Sequence, residues 1–291
     1  RMGLTPQTLQ ASNPQLIYCN LSGYGENGPY RDKKAYDLLI QSEAGLLSIT
    51  GTPETPSKVG ISIADIAAGM YTYTNILAAL LQRQKTGKGS VIDISMLEAL
   101  GEWMGYPMYY SMDGAAPPPR TGASHATIFP YGPYLAGDGK TIMLGLQNER
   151  EWALFCEKVL VQPELATDLR FDKNFKRNEN RVELNAIILK IFSAMTSEQV
   201  LAKLEEARIA NASLNDMHQF WDHPQLRARE RWHSVESPNG PIPALLPPGI
   251  NTAYEYRMDK IPGVGEHTEA ILKELGYSQE QISQFKEKGS I

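Results

Sequence analysis

The segment from Ile66 to Gln84 constrains the fold most, because it carries a long helical pattern that begins directly after an acid, Asp65. Lys85-Thr86-Gly87 is typical of the end of a helix. Patterns typical of strands lie on either side, at 14–22 and 90–96, and this alternation predicts α/β layers. The apolar positions with helical spacing are Ile66, Met70, Tyr73, Ile76, Leu77, Leu80 and Leu81.

Shorter patterns extend this organisation on both sides. Residues 114–122 interrupt all periodicity with three consecutive prolines, which predicts an extended connector and the end of a domain. After it we expect an α+β segment. Helices are predicted at 5–11, 36–47, 97–112, 148–160, 178–195, 196–208, 267–275 and 278–288, and further strands at 131–135 and 140–146.

Composition narrows the class of protein. The 291 residues are 42% hydrophobic, enough for a substantial core, and the net charge of −5 provides no basic field for nucleic acid. The longest apolar runs are too short to span a membrane. Cys19 and Cys156 lack CxxC or metal-like spacing, and His218, His223 and His267 lack the pairing of a zinc site. We therefore expect a soluble, cytoplasmic protein with reduced thiols and no metal.

Asp65 has two compatible interpretations. No Lys or Arg occurs in the twelve positions that follow it, so the acid has no local charge partner. Asp is among the best residues for capping a helix N-terminus, and the helix dipole favours a negative charge there. A carboxylate kept ionised by amide donors in an apolar pocket can also attack an activated acyl group.

Three loop features are open to more than one interpretation. Residues 23–28 spell the dinucleotide fingerprint, but a polar loop follows where the fingerprint requires a helix, so we reject that function. Arg31, Lys33 and Lys34 form either a solvated loop or a phosphate clamp. His125 follows the connector, where a loop could reach a cleft between domains, although a structural role is favoured.

Taken together, the chain resembles the family III CoA-transferases, which include formyl-CoA transferase, carnitine CoA-transferase and alpha-methylacyl-CoA racemase. The resemblance extends over almost the entire chain. It is carried by Arg1-Met2-Gly3-Leu4, Asn13-Pro14-Gln15-Leu16-Ile17-Tyr18, Ser22-Gly23-Tyr24-Gly25, Gly28-Pro29-Tyr30, Ala35-Tyr36-Asp37, Gly45-Leu46, Thr50-Gly51, Ala64-Asp65-Ile66-Ala67-Ala68-Gly69, Ile76-Leu77-Ala78-Ala79-Leu80, Lys85-Thr86-Gly87-Lys88-Gly89 and Gly265-Glu266-His267-Thr268.

The resemblance implies roles for individual residues. Asp65 falls on the family's catalytic aspartate, which forms acyl anhydride and aspartyl-CoA thioester intermediates. Tyr36 and Asp37 fall on the active-site wall, and the racemases have His where this chain has Tyr36, which favours transfer over racemisation. The implied CoA-binding residues are Arg1 and Lys34, which would bind phosphates, and Met2 and Met96, which would line the site.

The resemblance also implies an architecture. We expect a Rossmann-like large domain whose first part is 1–115, a linker and small α+β domain at 116–215, and a return segment at 216–291 that completes the large domain. The family's first strand–helix–strand segment precedes Arg1, so we expect an N-terminally truncated chain. Family members form interlocked homodimers and use CoA esters as substrates, with no permanently bound cofactor.

The function implied is transfer of CoA from an acyl-CoA donor such as succinyl-CoA to a small carboxylic acid. Polar and aromatic residues of the expected pocket favour a short dicarboxylate such as succinate, mesaconate, itaconate or citramalate. The family's glycine-rich closing loop has no counterpart here, and we expect residues 125–131 to replace it. A CoA-ester racemase and a non-catalytic CoA-binding or dimer-forming relative are the alternatives. The pocket residues in question are Tyr36, His125, Ile128 and Tyr131.

Overall fold

The structure, a computed structural model, describes residues 3–291, so Arg1 and Met2 lie outside it. The chain divides into two compact units, Arg1–Leu214 and Asn215–Ile291. The first unit contains two separate hydrophobic cores, one formed by residues between 40 and 100 and the other by residues between 129 and 209. The predicted division into three segments at 115 and 215 stays a prediction.

The first core is organised around a parallel strand pair. Tyr18 lies opposite Val91 and Ser22 opposite Ser95, and a parallel pair requires a crossover, here made by helices. The predicted α/β class is confirmed. The elements are α1 (Pro6–Ser12), β1 (Tyr18–Ser22), α2 (Asp37–Glu43), α3 (Leu46–Ile49), α4 (Ile63–Thr86), β2 (Val91–Ser95), α5 (Met96–Trp103) and α6 (Gly105–Tyr110).

Two helices predicted as continuous are broken. The pattern at 36–47 becomes α2 and α3 because Gly45 adopts a left-handed φ of 79°, which a helix cannot continue through. The pattern at 97–112 becomes α5, α6 and a short 3₁₀ turn at Met112–Gly114, with Pro107, which lacks an amide donor, inside α6. The predicted end of α4 is confirmed, since Gly87 follows it at φ 70° and donates its amide to the Arg83 carbonyl.

Small side chains hold the first core together. The N-terminal part of α4 packs against α2 and α5, and its buried residues are alanines, which let neighbouring helices approach closely. This packing places the start of α4 against α2, which is the geometry on which the candidate site depends. The buried residues of the core are Ile40, Ala64, Ala67, Ala68, Met96, Ala99 and Leu100.

The second core combines an antiparallel sheet with helices. β3 (Tyr131–Leu135), β4 (Thr141–Gly145) and β5 (Ala210–Ser213) pair in that order, as predicted for the first two. The predicted capping box at the start of α10 is confirmed, since the Thr196 hydroxyl accepts from the Gln199 amide. The helices are α7 (Glu149–Leu154), which continues into a π-helix (Phe155–Leu160), a 3₁₀ helix (Pro163–Ala166), α8 (Asn174–Glu179), α9 (Arg181–Phe192) and α10 (Ser197–Glu206).

Arg177 is a charged residue inside this second core, with a side chain only 2% exposed. Its Nε donates to the Phe129 carbonyl and its Nη1 to the Phe171 carbonyl, each at 2.9 Å. Nη1 also pairs with Glu149 Oε2 at 2.6 Å, and the guanidinium lies 4.9 Å from the Trp152 ring centroid. Two backbone carbonyls, a carboxylate and an aromatic ring therefore compensate the burial of this charge.

The proline-rich connector is attached to the loop between α3 and α4. Arg120 donates from Nε to the Thr52 carbonyl at 2.9 Å and from Nη2 to the Pro53 carbonyl at 2.8 Å. The Gly122 amide donates to the Gly51 carbonyl at 2.7 Å. The connector is extended, as predicted, but these bonds hold it in place within the first unit.

The second unit is small and rich in short elements. β6 and β7 form an antiparallel pair, and the Trp221 and Trp232 rings pack 4.6 Å apart. None of the helices within residues 3–291 is both long and apolar enough to cross a membrane. The elements are α11 (Met217–Trp221), α12 (Pro224–Ala228), β6 (Trp232–Val235), β7 (Ile242–Leu245), α13 (Thr268–Glu274) and α14 (Gln279–Glu287).

Candidate active site

Asp65 lies in the first turn of α4, at its third residue, and not at the capping position that we predicted. Ser62 is the N-cap residue, and helix α4 begins three residues earlier than its apolar pattern indicates. The Asp65 side chain is exposed, and within residues 3–291 its carboxylate accepts no hydrogen bond and joins no ion pair. The carboxylate is thus accessible to a reactant, with the positive end of the helix dipole beside it.

The cap of α4 comes from another helix. The Asp37 carboxylate, on the first residue of α2, accepts from the Ala64 amide through Oδ1 at 2.8 Å. Ile63 and Ile66 donate their amides to the carbonyls of Ile61 and Ser62. In the described part of the chain, the amide of Asp65 itself has no acceptor. One free donor of the first turn therefore lies next to the candidate nucleophile.

Asp37 was predicted to line the substrate pocket, and the structure gives both of its oxygens a partner within the protein. Oδ2 accepts from Gln41 Nε2 at 2.6 Å, and Gln41 Oε1 accepts from the Val59 amide at 2.9 Å. Gln41 was not among the predicted site residues. Its spacing of four residues from Asp37, which places both on one helix face, was the available signal.

The basic residues at 31–34 differ in whether they have an acidic partner. Arg31 pairs with Asp32 at 3.1 Å, and Lys33 pairs with Glu43 while its Nζ lies 4.2 Å from the Tyr30 ring centroid. The hydrogen bond from Lys33 to Glu43 raises the pKa of that ammonium group. Within residues 3–291, Lys34 is exposed and makes no hydrogen bond or ion pair. Lys34 is thus the cation of this cluster that is available to a phosphate.

The loop that carries this cluster is not a dinucleotide-binding turn. No helix follows Gly28 until α2 begins at Asp37, which agrees with our rejection of that motif. Gly23 is required for a different reason, because a Cβ there would lie 2.1 Å from the Cβ of Ala35. The close approach brings residues 34–36 against the end of β1. Tyr36, immediately before α2, is 71% exposed and free to contact a ligand.

Met96 and His125 occupy different surroundings. Met96 is the first residue of α5, belongs to the same core as Ala64 and is only 7% exposed. His125 accepts from the amides of Thr127 and Ile128 through Nδ1, at 3.2 and 3.1 Å, and stacks on Tyr131. These contacts tie the His125 side chain to the backbone of the 125–131 loop.

The structure thus brings Asp65 and Asp37 together through the N-terminus of α4, and places Lys34 and Tyr36 on the segment leading into α2. The predicted CoA-binding residues Arg1 and Met2 lie outside the described residues. Roles in CoA or substrate binding for Lys34, Tyr36, Met96 and His125 stay predictions.

A cavity of about 190 Å³ lies between α4, β2 and α5. It contains three carboxylates, which would repel the phosphates of CoA. No group of three or more His, Cys, Asp or Glu side chains within residues 3–291 could hold a metal ion. The cavity is lined by Tyr71, Asn75, Asp93, Ile94, Ser95, Glu98, Ala99 and Glu102.

Curated proteins resemble this chain over most of its length. An acyl-CoA transferase of Fusarium pseudograminearum is 32% identical over 100% of this chain and 64% of its own length. A succinate–glutarate CoA-transferase of Agrobacterium fabrum is 31% identical, over 94% and 69%. A succinyl-CoA–D-citramalate CoA-transferase of Chloroflexus aurantiacus is 28% identical, over 98% and 72%. The chain spans about two thirds of the length of these relatives.

A solved structure agrees with the fold. The crystal structure of a CaiB/BaiF family protein from Brucella suis has a TM-score of 0.79 and 32% identity, covering 94% of this chain and 71% of that one. The sequence profile of CoA-transferase family III matches residues 1–268. The chain that carries Asp65 at the start of α4 therefore belongs to CoA-transferase family III.

Proposed function

We propose that this protein transfers CoA from an acyl-CoA donor to a small dicarboxylic acid, with Asp65 as the covalent carrier. The observation that carries the proposal is the exposed Asp65 carboxylate at the start of α4, beside a backbone amide that has no acceptor within residues 3–291. Membership of CoA-transferase family III supports it.

The chemistry requires two exchanges at one carboxylate. An oxygen of Asp65 attacks the thioester carbonyl of the donor, the C–S bond breaks, and CoA leaves as a thiolate from a mixed anhydride. The thiolate attacks the aspartyl carbonyl, forms an aspartyl-CoA thioester and releases the donor acid. The acceptor carboxylate attacks that thioester and expels the thiolate, giving a second anhydride. The thiolate then attacks the acceptor's carbonyl, forming its CoA ester and returning Asp65.

Each attack places negative charge on a carbonyl oxygen near the start of α4. Backbone donors fixed by the fold stabilise such charge without reorganising. The Ala64 amide is already used by Asp37, which leaves the Asp65 amide as the donor of the first turn available to the reaction. The positive end of the helix dipole adds to this stabilisation.

The acceptor class is tested with a panel of acids. Relatives named for glutarate and D-citramalate support a dicarboxylate acceptor. With succinyl-CoA as donor and the full-length protein, we expect transfer to glutarate, mesaconate, itaconate or citramalate and little to monocarboxylates such as hexanoate. Liquid chromatography of the CoA esters measures each product. Equal transfer to the monocarboxylates would contradict the dicarboxylate proposal.

We propose that Lys34 binds a CoA phosphate. Lys34→Ala should raise the KM for succinyl-CoA roughly tenfold, since a charge-assisted hydrogen bond from an exposed side chain contributes about 1.5 kcal/mol, the lower end of its range. The kcat should change little. Arg31→Ala is the matched control, because Arg31 lies in the same loop and pairs with Asp32. A fall in kcat at unchanged KM would contradict this role.

Racemisation is the competing reaction. Tyr36 lacks the basic nitrogen that a His provides for deprotonating an α-carbon, so we expect no exchange of the substrate α-proton with deuterated solvent. Exchange at the rate of CoA transfer would favour the racemase function. Mass spectrometry of the recovered CoA ester measures it.

We also propose a homodimer. Helix α4 presents a row of exposed apolar side chains on one face, and exposed patches of this kind mark interaction sites. Sedimentation of the full-length protein should give twice the monomer mass, and a monomer at micromolar concentration would contradict it. A cytoplasmic location stays a prediction. The row consists of Ile66, Met70, Tyr73, Leu77 and Leu81.

A further inference from the structure

Gln41 is a polar side chain enclosed in an otherwise apolar core. Its exposed fraction is 0%, next to Ile40, which is also fully buried. Burying an amide is costly unless its donors and acceptor are satisfied. A glutamine therefore needs specific partners at this place, and its partners lie at the base of the helix that carries Asp65.

The contacts of Gln41 form a directed chain of hydrogen bonds. Its Oε1 accepts from the Val59 amide at 2.9 Å, and its Nε2 donates to Asp37 Oδ2 at 2.6 Å. Asp37 Oδ1 in turn accepts from the Ala64 amide at 2.8 Å. The chain ends at the residue next to Asp65. It joins α2, the loop before α4 and the first turn of α4.

Only one orientation of the Gln41 amide fits these partners. The Val59 amide can only donate, and an ionised Asp37 can only accept, so the oxygen must face Val59 and the nitrogen must face Asp37. Asp37 is thereby turned with Oδ1 towards the amides of α4. Neither a hydrocarbon nor a second carboxylate at position 41 could do both.

We infer that Gln41 is a positioning residue for the Asp65 nucleophile, acting through Asp37 and the first turn of α4. This inference rests on the proposed transfer function. A displacement of about 1 Å at a reacting group can cost on the order of 10²-fold in rate. Loss of the Gln41 hydrogen bonds should therefore lower kcat while leaving the KM for succinyl-CoA unchanged, because the Gln41 side chain is fully buried and out of reach of a ligand.

Gln41→Glu tests this with almost no change of shape. The new carboxylate keeps an acceptor for the Val59 amide but meets Asp37 as a second acid, and two carboxylates in contact share one proton whose pKa is strongly raised. At about pH 8 most of the shared proton is lost, and we expect kcat to fall roughly 10-fold. At about pH 5.5 protonation restores the donor, and kcat should recover towards wild type.

The wild-type pH profile, measured in parallel, accounts for the other charged groups around this network. These are Lys58, whose Nζ donates to the Val59 carbonyl at 3.2 Å, Glu43 on α2 with its partner Lys33, and Asp65 on α4. All four are present in every single variant at position 41. Gln82→Glu is the matched control, an exposed glutamine of α4 given the same substitution, and its profile should match wild type.

A double variant separates positioning from direct contact with substrate. In Asp37→Asn/Gln41→Glu the donor and acceptor of the central hydrogen bond are exchanged, while an oxygen remains for the Ala64 amide. We expect the double variant to regain kcat at about pH 8 relative to Gln41→Glu alone. If Asp37 instead contacts the substrate directly, the second substitution will deepen the loss.

The possible results are distinguishable from a failure of the proposed function. Absence of transfer by wild-type protein in the acceptor panel would overturn the function itself. If wild type transfers CoA and the kcat of Gln41→Glu equals that of wild type at every pH, the positioning role alone would be overturned. If Gln41→Glu lowers the melting temperature, Ile188→Val in the second core serves as a control for destabilisation alone. The kcat of Ile188→Val should equal that of wild type.

Discussion

Asp65→Ala is expected to abolish CoA transfer, lowering kcat by a factor on the order of 10⁴ or more, because no other group can take over the covalent step. The fold should persist. The Asp65 carboxylate has no bonded partner within residues 3–291, so its removal costs only the favourable interaction with the helix dipole, about 0.3–1 kcal/mol. Transfer from succinyl-CoA by the full-length protein measures the loss.

Trapping of the intermediate makes the test specific. Hydroxylamine added with succinyl-CoA should convert the aspartyl-CoA thioester of the wild-type protein to a hydroxamate at Asp65, detectable by peptide mass spectrometry. Glu102→Ala is a suitable control, an exposed acid on the neighbouring helix α5, and should retain both transfer and trapping. Transfer retained by Asp65→Ala, or a hydroxamate at another residue, would refute the nucleophile.

Arg177→Leu is expected to destabilise the second core by about 2–6 kcal/mol, which is about 1–3 kcal/mol for each of two buried carbonyls left without a donor. The substitution leaves the Phe129 and Phe171 carbonyls without their donor inside a packed interior, and it removes the partner of Glu149. Unsatisfied buried acceptors cost more than the leucine side chain regains by its own burial. Urea unfolding followed by circular dichroism measures the change in the free energy of unfolding.

The control for this substitution is Arg150→Leu, an exposed arginine on α7. Its free energy of unfolding should stay within about 0.5 kcal/mol of wild type, as is usual for surface changes. A similarly small effect for Arg177→Leu would mean that solvent or a shifted backbone satisfies the two carbonyls.

Local sequence signals predicted much of the fold. The capping box of Thr196 and Gln199 and the stop signal at Gly87 depend on residues within one turn of each other, and both are present. The predicted strand pair at 131–135 and 140–146 is also present, because its two strands are joined by a short turn and so depend on nearby residues. Predictions failed where a helix is interrupted, as at Gly45. The apolar periodicity continues past this residue, but its left-handed backbone ends the helix.

The candidate site was predicted only in part. Asp65 and Lys34 were identifiable as residue types in a recognisable order, but the contacts that organise them were not. Asp65 was predicted to be the cap, whereas Asp37 in α2, 27 residues before Ala64, caps α4 by accepting from the Ala64 amide. Only the family resemblance separated Lys34 from Lys33 in the sequence, and the ion-pair partner of Lys33, Glu43, lies on another element.

The order of residues alone located most of α4, identified an acid at its N-terminal end and showed a resemblance to a family of CoA-transferases. These properties depend on neighbouring residues and their order. Folding selects the side chains that support that acid, which are Asp37 and Gln41 from α2, bonded to Ala64 and Val59. A hydrogen bond needs two atoms about 3 Å apart, and packing of α2 against α4 creates that proximity.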